Sequence, residues 1–227
     1  MGITINKYES CSEATDEAVA RLIGALDHPV KTLFLLSGGS SLDVARKVFP
    51  KLKADQKRLI TVAQIDERYG EPGHPDSNWN GIEEAVGSFD DYAGAVNILQ
   101  GSGSIEEDTA NYNARLRELL VENVMKIGLF GIGADGHVAG ILPHEEADFM
   151  KYTDGRMVVN FQGTDFPRIT TTSALMKVLD GAIVYACGEN KEDTVDRLNK
   201  TLLPHQHPAQ LLKETNETWV YFGRGKQ

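Results

Sequence analysis

The chain has 227 residues, 41 % of them hydrophobic and 25 % charged, with a formal net charge of −10. This composition suits a folded protein with a sizeable core and gives no sign of disorder. The acidic balance argues against a nucleic-acid partner, which needs a basic face to neutralise phosphates. It leaves room for a small anion, because a few Arg and Lys side chains converging in one cleft hold a phosphate whatever the total charge.

No run approaches the ~18 apolar residues of a membrane span. The N-terminal ten residues lack a basic stretch followed by an apolar core. The expectation is a cytoplasmic protein folded as a single domain over residues 1–227. Cys11 and Cys187 lie far apart in sequence without metal-ligand spacing, and Cys187, ending an apolar run, reads as a buried small hydrophobe.

From the N-terminus, Ser12 to Asp27 carries Ala18, Val19, Leu22, Ile23 and Leu26 at helical spacing, with Ser12 or Thr15 as the cap. Thr32 to Leu36 is a continuous apolar run of strand length, as expected for a central strand covered on both faces. The turn Ser37-Gly38-Gly39-Ser40-Ser41 follows, and then a helical pattern from Leu42 through Val48 and Leu52. Strand, Gly/Ser turn and helix together make an anion site: backbone N–H groups approach closely, hydroxyls add donors, and the helix start contributes partial positive charge.

Leu59 to Ile65 reads as the next strand and leads into Asp66-Glu67-Arg68. Loops at the carboxyl ends of strands form the ligand crevice of open α/β sheets. Arg68 is therefore placed to reach the same phosphate, and Asp66 or Glu67 to orient it or a sugar hydroxyl; a salt-bridged surface turn is the alternative. Asp76-Ser77-Asn78 has the pattern of a cap before a helix over Trp79 to Val86. Val96 to Leu99 is a short strand candidate, and Ile105 to Glu122 is a long helix opening on acids that suit its dipole.

Lys126 to Pro143 carries the chemistry. Ile127, Leu129 and Phe130 end a buried strand, and Gly131, Gly133 and Gly136 permit a tight turn with close backbone approach to a ligand. The turn presents Asp135 and His137 two residues apart. An imidazole ordinarily titrates near neutral pH, which suits a general base. Gly131-x-Gly133-x-x-Gly136 also satisfies the loose dinucleotide pattern. A nicotinamide site would want the following strand, Met157 to Phe161, to end in an acid, and Gln162 stands there.

Pro143 to Arg156 reads as a polar lid or an exposed connection. Arg168 lies just ahead of a cap and a helix over Ala174 to Leu179. Ala182 to Cys187 is another strand, followed by a helix start that places Lys191 near a strand end. His205 and His207 sit in a Pro-flanked loop without the carboxylate or Cys neighbours of a metal site, and Thr218 to Phe222 closes the chain as a strand. Strands alternating with helices predict an α/β fold with a mostly parallel, Rossmann-like sheet and helices on both faces.

Leu36-Ser-Gly-Gly-Ser-Ser41, Asp66-Glu-Arg68 with Asp76-Ser-Asn78, Gly131-x-Gly-x-Asp-Gly-His137-x-Ala139, Arg168-Ile-Thr170 and Gly188-x-x-Lys191 occur in the order that they have in the 6-phosphogluconolactonase family. The chain resembles that family over nearly its whole length. The wider superfamily includes glucosamine-6-phosphate deaminase/isomerase.

The resemblance implies hydrolysis of 6-phosphogluconolactone to 6-phosphogluconate in the oxidative pentose phosphate pathway, without metal or organic cofactor. It places the catalytic histidine on His137. The phosphate-binding positions fall on Gly38, Gly39, Ser40, Ser41, Arg68, Arg168 and Lys191, with Asp66 and Gly133 lining the site. The deaminase has Asn-Glu-Pro after its histidine and Asp-Glu-Tyr earlier. Leu142 and Arg68 at those positions favour the lactonase over the deaminase. Lactonases follow the histidine with Thr-Ala-Ser-Leu-Phe-Pro-Gly, and the departures here are Gly140 and His144.

The expected chemistry joins both readings: an anchored phosphate, His137 activating water against the lactone carbonyl, and Asp135 either holding the imidazole or capping a following helix. A sensor that binds a sugar phosphate without turning it over would use the same pocket.

Overall fold

The computed structural model describes residues 2–163 and 165–225. Its elements run β1 (Gly2–Tyr8), α1 (Cys11–Leu26), β2 (Thr32–Leu36), α2 (Leu42–Val48), α3 (Ala54–Lys57), β3 (Ile60–Gln64), β4 (Asp66–Arg68), α4 (Asn78–Val86), β5 (Gly94–Val96) and α5 (Ile105–Glu122). Then follow β6 (Met125–Gly131), α6 (Glu146–Phe149), β7 (Val158–Gln162), β8 (Pro167–Thr171), α7 (Ser173–Met176), β9 (Gly181–Cys187), α8 (Glu192–Asp196) and β10 (Glu217–Gly223).

Seven strands form one sheet in the order β1-β10-β9-β6-β2-β3-β5, and every pairing in it is parallel. The expected α/β architecture is therefore present. Strand β2 shows why its sequence is apolar throughout. Leu33 and Leu35 enter the core under α5 and α7, while Phe34 and Leu36 enter the core under α1, α2 and α4. All four are fully buried. Truncating any of them to Ala costs about 2–5 kcal/mol.

Several elements depart from the sequence expectations. The N-terminal residues form strand β1, which alternates outward and inward along its length and so shows little apolar signal. Helix α1 starts one residue early and is capped by Ser10, whose side chain accepts from Glu13 N, rather than by Ser12 or Thr15. The strand expected at Val96–Leu99 sits at Gly94–Val96. Pro143 to Arg156 contains α6 and a 3-10 turn, and buries Phe149 and Tyr152.

Cys11 and Cys187 are joined in a disulfide with Cα atoms 5.4 Å apart, against the expectation that Cys187 is a lone hydrophobe. Their separation of 176 residues vanishes because Cys11 opens α1 while Cys187 ends β9, two strands from β1.

A second, antiparallel sheet, β4-β8-β7, has no counterpart in the sequence expectations for residues 66–68 and 166–171. Among the described residues, no helix is long and apolar enough to cross a membrane.

Candidate active site

Four neighbouring strands of the large sheet, β9, β6, β2 and β3, end on the same edge because all are parallel and in register. Each end carries part of the predicted set. The segment after β9 brings Lys191, that after β6 brings Asp135 and His137, that after β2 brings Ser37 to Ser41, and that after β3 brings Asp66. All of these except Asp135 and Ser41 line a cleft of about 330 Å³. Such a crevice at the carboxyl ends of strands is where open α/β sheets place ligands.

The small sheet forms the facing wall. Antiparallel partners directly opposite share a face, and Asp66 pairs with Thr170 while Arg68 pairs with Arg168. With a side-chain period of two, Asp66 and Arg68 turn to the cleft and Glu67 turns away. Glu67 is fully buried and accepts from Gln64 Nε2 (2.7 Å), Ser77 Oγ (2.9 Å) and the backbone nitrogens of Arg68, Asn78 and Trp79 (2.7, 2.7 and 3.0 Å). Its expected share in holding a ligand is thereby corrected: it caps α4 and fixes β4 in place. The Ser77 cap of α4 agrees with the sequence reading.

Arg68 and Arg168 face each other across the β4–β8 pair, a placement of like charges that destabilises a sheet. The Nε atom of each is buried with no acceptor among the described residues. Arg168 Nη2 holds Asp165 (2.8 Å) and Arg68 Nη1 the carbonyl of Asp76 (3.2 Å). Across the cleft, Lys191 Nζ lies 3.3 Å from Ser40 Oγ, and burial lowers its pKa. The turn Gly39–Ser41 is 3-10 and runs into α2, with Gly39 at φ +68°, a conformation that favours glycine.

Ser41 does not reach the cleft. Its hydroxyl is buried and donates to the carbonyls of Ser37 and Gly38, so it closes the turn instead. Gly38 is needed because Asn78 packs against it: a Cβ there would meet Asn78 Oδ1 at 2.0 Å. Asn78 also donates to Asp66 Oδ2 (3.2 Å), and Ser37 donates to Asp66 Oδ1 (3.1 Å). Burial, then the neighbouring Glu67, raise the pKa of Asp66, against the Ser37 bond and Arg168.

On the other side, Asp135 Oδ1 accepts from the ring Nδ1 of His137 (2.7 Å) and from its backbone nitrogen (3.1 Å). The bond from His137 holds the Asp135 pKa down to about 2. A helix for Asp135 to cap is not there. Residues 138–141 form a tight hairpin, with Ala139 at φ +54°, and the next helix starts at Glu146. The dyad rests on Gly133, where a Cβ would lie 2.0 Å from His137 Nδ1 and 2.5 Å from Asp135 Oδ1.

The two departures noted in the sequence have physical reasons. Gly140 N donates to Thr170 Oγ1 (2.9 Å), and a Cβ at Gly140 would come within 2.8 Å of Thr170 Cβ; the threonine fills the space of a larger residue. His144 leaves the cleft to stack on Tyr152 (5.9 Å) and meet Phe161 edge-on (6.1 Å). Asn78, Asn190 and Ala139 line the cleft without having been singled out as ligand contacts. Asn78 and Ala139 stand in motifs that the sequence shows, whereas Asn190 is an unspecified position of the Gly188-x-x-Lys191 turn.

Residues 6–221 match the family described as glucosamine-6-phosphate isomerases/6-phosphogluconolactonase. A 6-phosphogluconolactonase of Haemophilus influenzae is 22 % identical, covering 92 % of this chain and 91 % of its own. One of Treponema pallidum is 29 % identical, covering 77 % and 76 %. The crystal structure of a 6-phosphogluconolactonase from Shewanella baltica superposes with a TM-score of 0.85 at 17 % identity, covering 98 % of each chain. The chain belongs to the glucosamine-6-phosphate isomerase/6-phosphogluconolactonase family.

Proposed function

We propose that the chain hydrolyses 6-phosphogluconolactone to 6-phosphogluconate, as a single-domain cytoplasmic enzyme of the oxidative pentose phosphate pathway. The observation that carries this reading is the opposed pair Arg68 and Arg168, each with a buried Nε that has no partner among the described residues, lining the same cleft as His137. A phosphate between the two guanidiniums relieves their repulsion and satisfies both nitrogens. Lys191, Ser40 and the backbone of Gly38 and Gly39 close around it.

The anchored phosphate orients the sugar so that its lactone carbonyl lies over His137, and binding energy remote from the reacting carbon supports that orientation. Nδ1 of His137 faces a carboxylate, so Nδ1 carries the hydrogen and Nε2 presents its lone pair. Nε2 takes a proton from water as the water oxygen bonds to the carbonyl carbon. The resulting imidazolium is steadied by Asp135. When the tetrahedral intermediate collapses, the bond from carbon to ring oxygen breaks and Nε2 returns the proton to that oxygen. Water and protein groups suffice for every step.

A deaminase would need an acid where Leu142 stands, and a pure sensor has no use for an oriented Asp135–His137 pair. The test is lactone opening above the spontaneous rate with purified protein, alongside the non-phosphorylated lactone. Preference for the phosphorylated substrate supports the reading, and a rate no greater than background rejects it.

A further inference from the structure

Behind the turn that carries the base lies a second histidine. His207 is 1 % exposed and sits at the start of the 3-10 helix Pro208–Glu214. Its ring lies against Gly136: a Cβ there would be 3.0 Å from Cδ2 and 3.3 Å from Cγ and Nε2. Gly136 is at φ +91°, a conformation that glycine permits but does not by itself single out, and contacts from outside the turn bear on it.

Those contacts form a chain. His207 Nε2 lies 3.1 Å from the carbonyl of Thr194. The Thr194 hydroxyl donates to the carbonyl of Ala134 (2.7 Å), and Ala209 N donates to the carbonyl of Gly136 (2.9 Å). Both acceptors lie between Gly133 and His137. Thr194 also stands in α8, which begins immediately after Lys191, so the chain connects the base-bearing turn to the cation on the phosphate side.

The choice of residue is informative. Facing a carbonyl, Nε2 carries the hydrogen and Nδ1 is bare, and Nδ1 is buried with no partner among the described residues. A filler at this place would be apolar, since an unpartnered buried nitrogen is unfavourable. Burial lowers the pKa of His207 against the raising effect of the Thr194 bond. An imidazole here is explained by the hydrogen bond between Nε2 and the Thr194 carbonyl.

We propose that His207 is a positioning residue for the base: by donating to Thr194 and backing Gly136 it holds the turn Gly133 to His137 in the shape that keeps His137 on Asp135. The inference rests on the lactonase reading for its kinetic readout alone.

The test uses His207→Phe, which keeps a ring and loses the donor, and His207→Gln, which keeps an N–H donor. Each is followed by kinetics and by NMR of the His137 ring nitrogens. The expected result for His207→Phe is kcat lower by about tenfold or more, KM within about twofold, and a shifted His137 Nδ1–H resonance. His207→Gln should recover kcat to within about threefold of the parent.

A folded His207→Phe protein with parental kcat and an unmoved resonance overturns the proposal, as does a His207→Gln protein no better than His207→Phe. Should His207→Phe not fold, Thr194→Val breaks the same chain at Ala134 and should give the same loss; parental behaviour overturns the proposal. A parent inactive on the lactone whose His137 resonance still responds to His207→Phe would reject the lactonase reading and leave the positioning role standing.

Discussion

Asp135 Oδ1 lies 2.7 Å from Nδ1 of His137 and 3.1 Å from the backbone nitrogen of the same residue, so one oxygen fixes both the ring and the chain that carries it. Asp135→Asn keeps the size and loses the charge that favours hydrogen on Nδ1. It should reduce kcat by about 10²–10⁴-fold with little change in KM. Steady-state kinetics at pH 7 checks this, and an Asn variant near the parental rate would limit the carboxylate to shaping the turn.

The sign of the associated pH effect follows from the lowered pKa of Asp135. Its bond stabilises the fold above the ordinary carboxylate range and is lost as pH falls toward about 2. The side chain is 52 % exposed, so the loss is small. Asp135 therefore keeps its charge throughout pH 5–8, and a fall in kcat between those values in the parent has another origin.

Gly133→Ala tests the same dyad without touching its chemistry. The new methyl would stand 2.0 Å from His137 Nδ1, so the ring has to move. A displacement near 1 Å lowers rates about 10²-fold. We expect that loss in kcat with a melting temperature close to the parent's, read by calorimetry beside the kinetics. Full activity would mean that the dyad tolerates displacement.

Arg68→Ala should raise KM for the phosphorylated lactone about 10–100-fold, the effect of losing a charged hydrogen bond of about 1.5–3 kcal/mol. The rate on the non-phosphorylated lactone should stay the same. Because Arg68 opposes Arg168, its removal should not lower the melting temperature of the free protein. An unchanged KM removes Arg68 from the phosphate site.

Asp66 is buried with a raised pKa, which means that the fold binds its proton more tightly than the unfolded chain does. Stability from this group is present below the ordinary carboxylate value near pH 4 and is lost as pH rises through the raised value. Asp66→Asn removes the charge, so its melting temperature relative to the parent should rise from pH 4 to pH 8. Melting curves across that range decide, and a pH-independent difference contradicts the assignment.

Much of the large sheet was legible because central parallel strands are apolar on both faces, as Thr32 to Leu36 is, and their carboxyl ends carry Gly/Ser turns and charges. The small sheet was not. Asp66-Glu67-Arg68 is too short to display a period, and the opposite directions of Glu67 and Arg68 emerge only from pairing with β8. The Cys11–Cys187 bond was hidden by sequence distance. His207 was read for metal binding and discounted, since nothing local shows that a residue seventy positions along packs against Gly136. Ser41 looked like its neighbour Ser40, and only the turn geometry sends its hydroxyl inward.

The most direct measurement is the rate of 6-phosphogluconolactone opening above the spontaneous background, with the parent and His137→Ala side by side. Catalysis by the parent that falls by about 10²-fold or more in a folded variant is the predicted result. Equal rates in the two proteins, or a folded parent at background, would contradict the account.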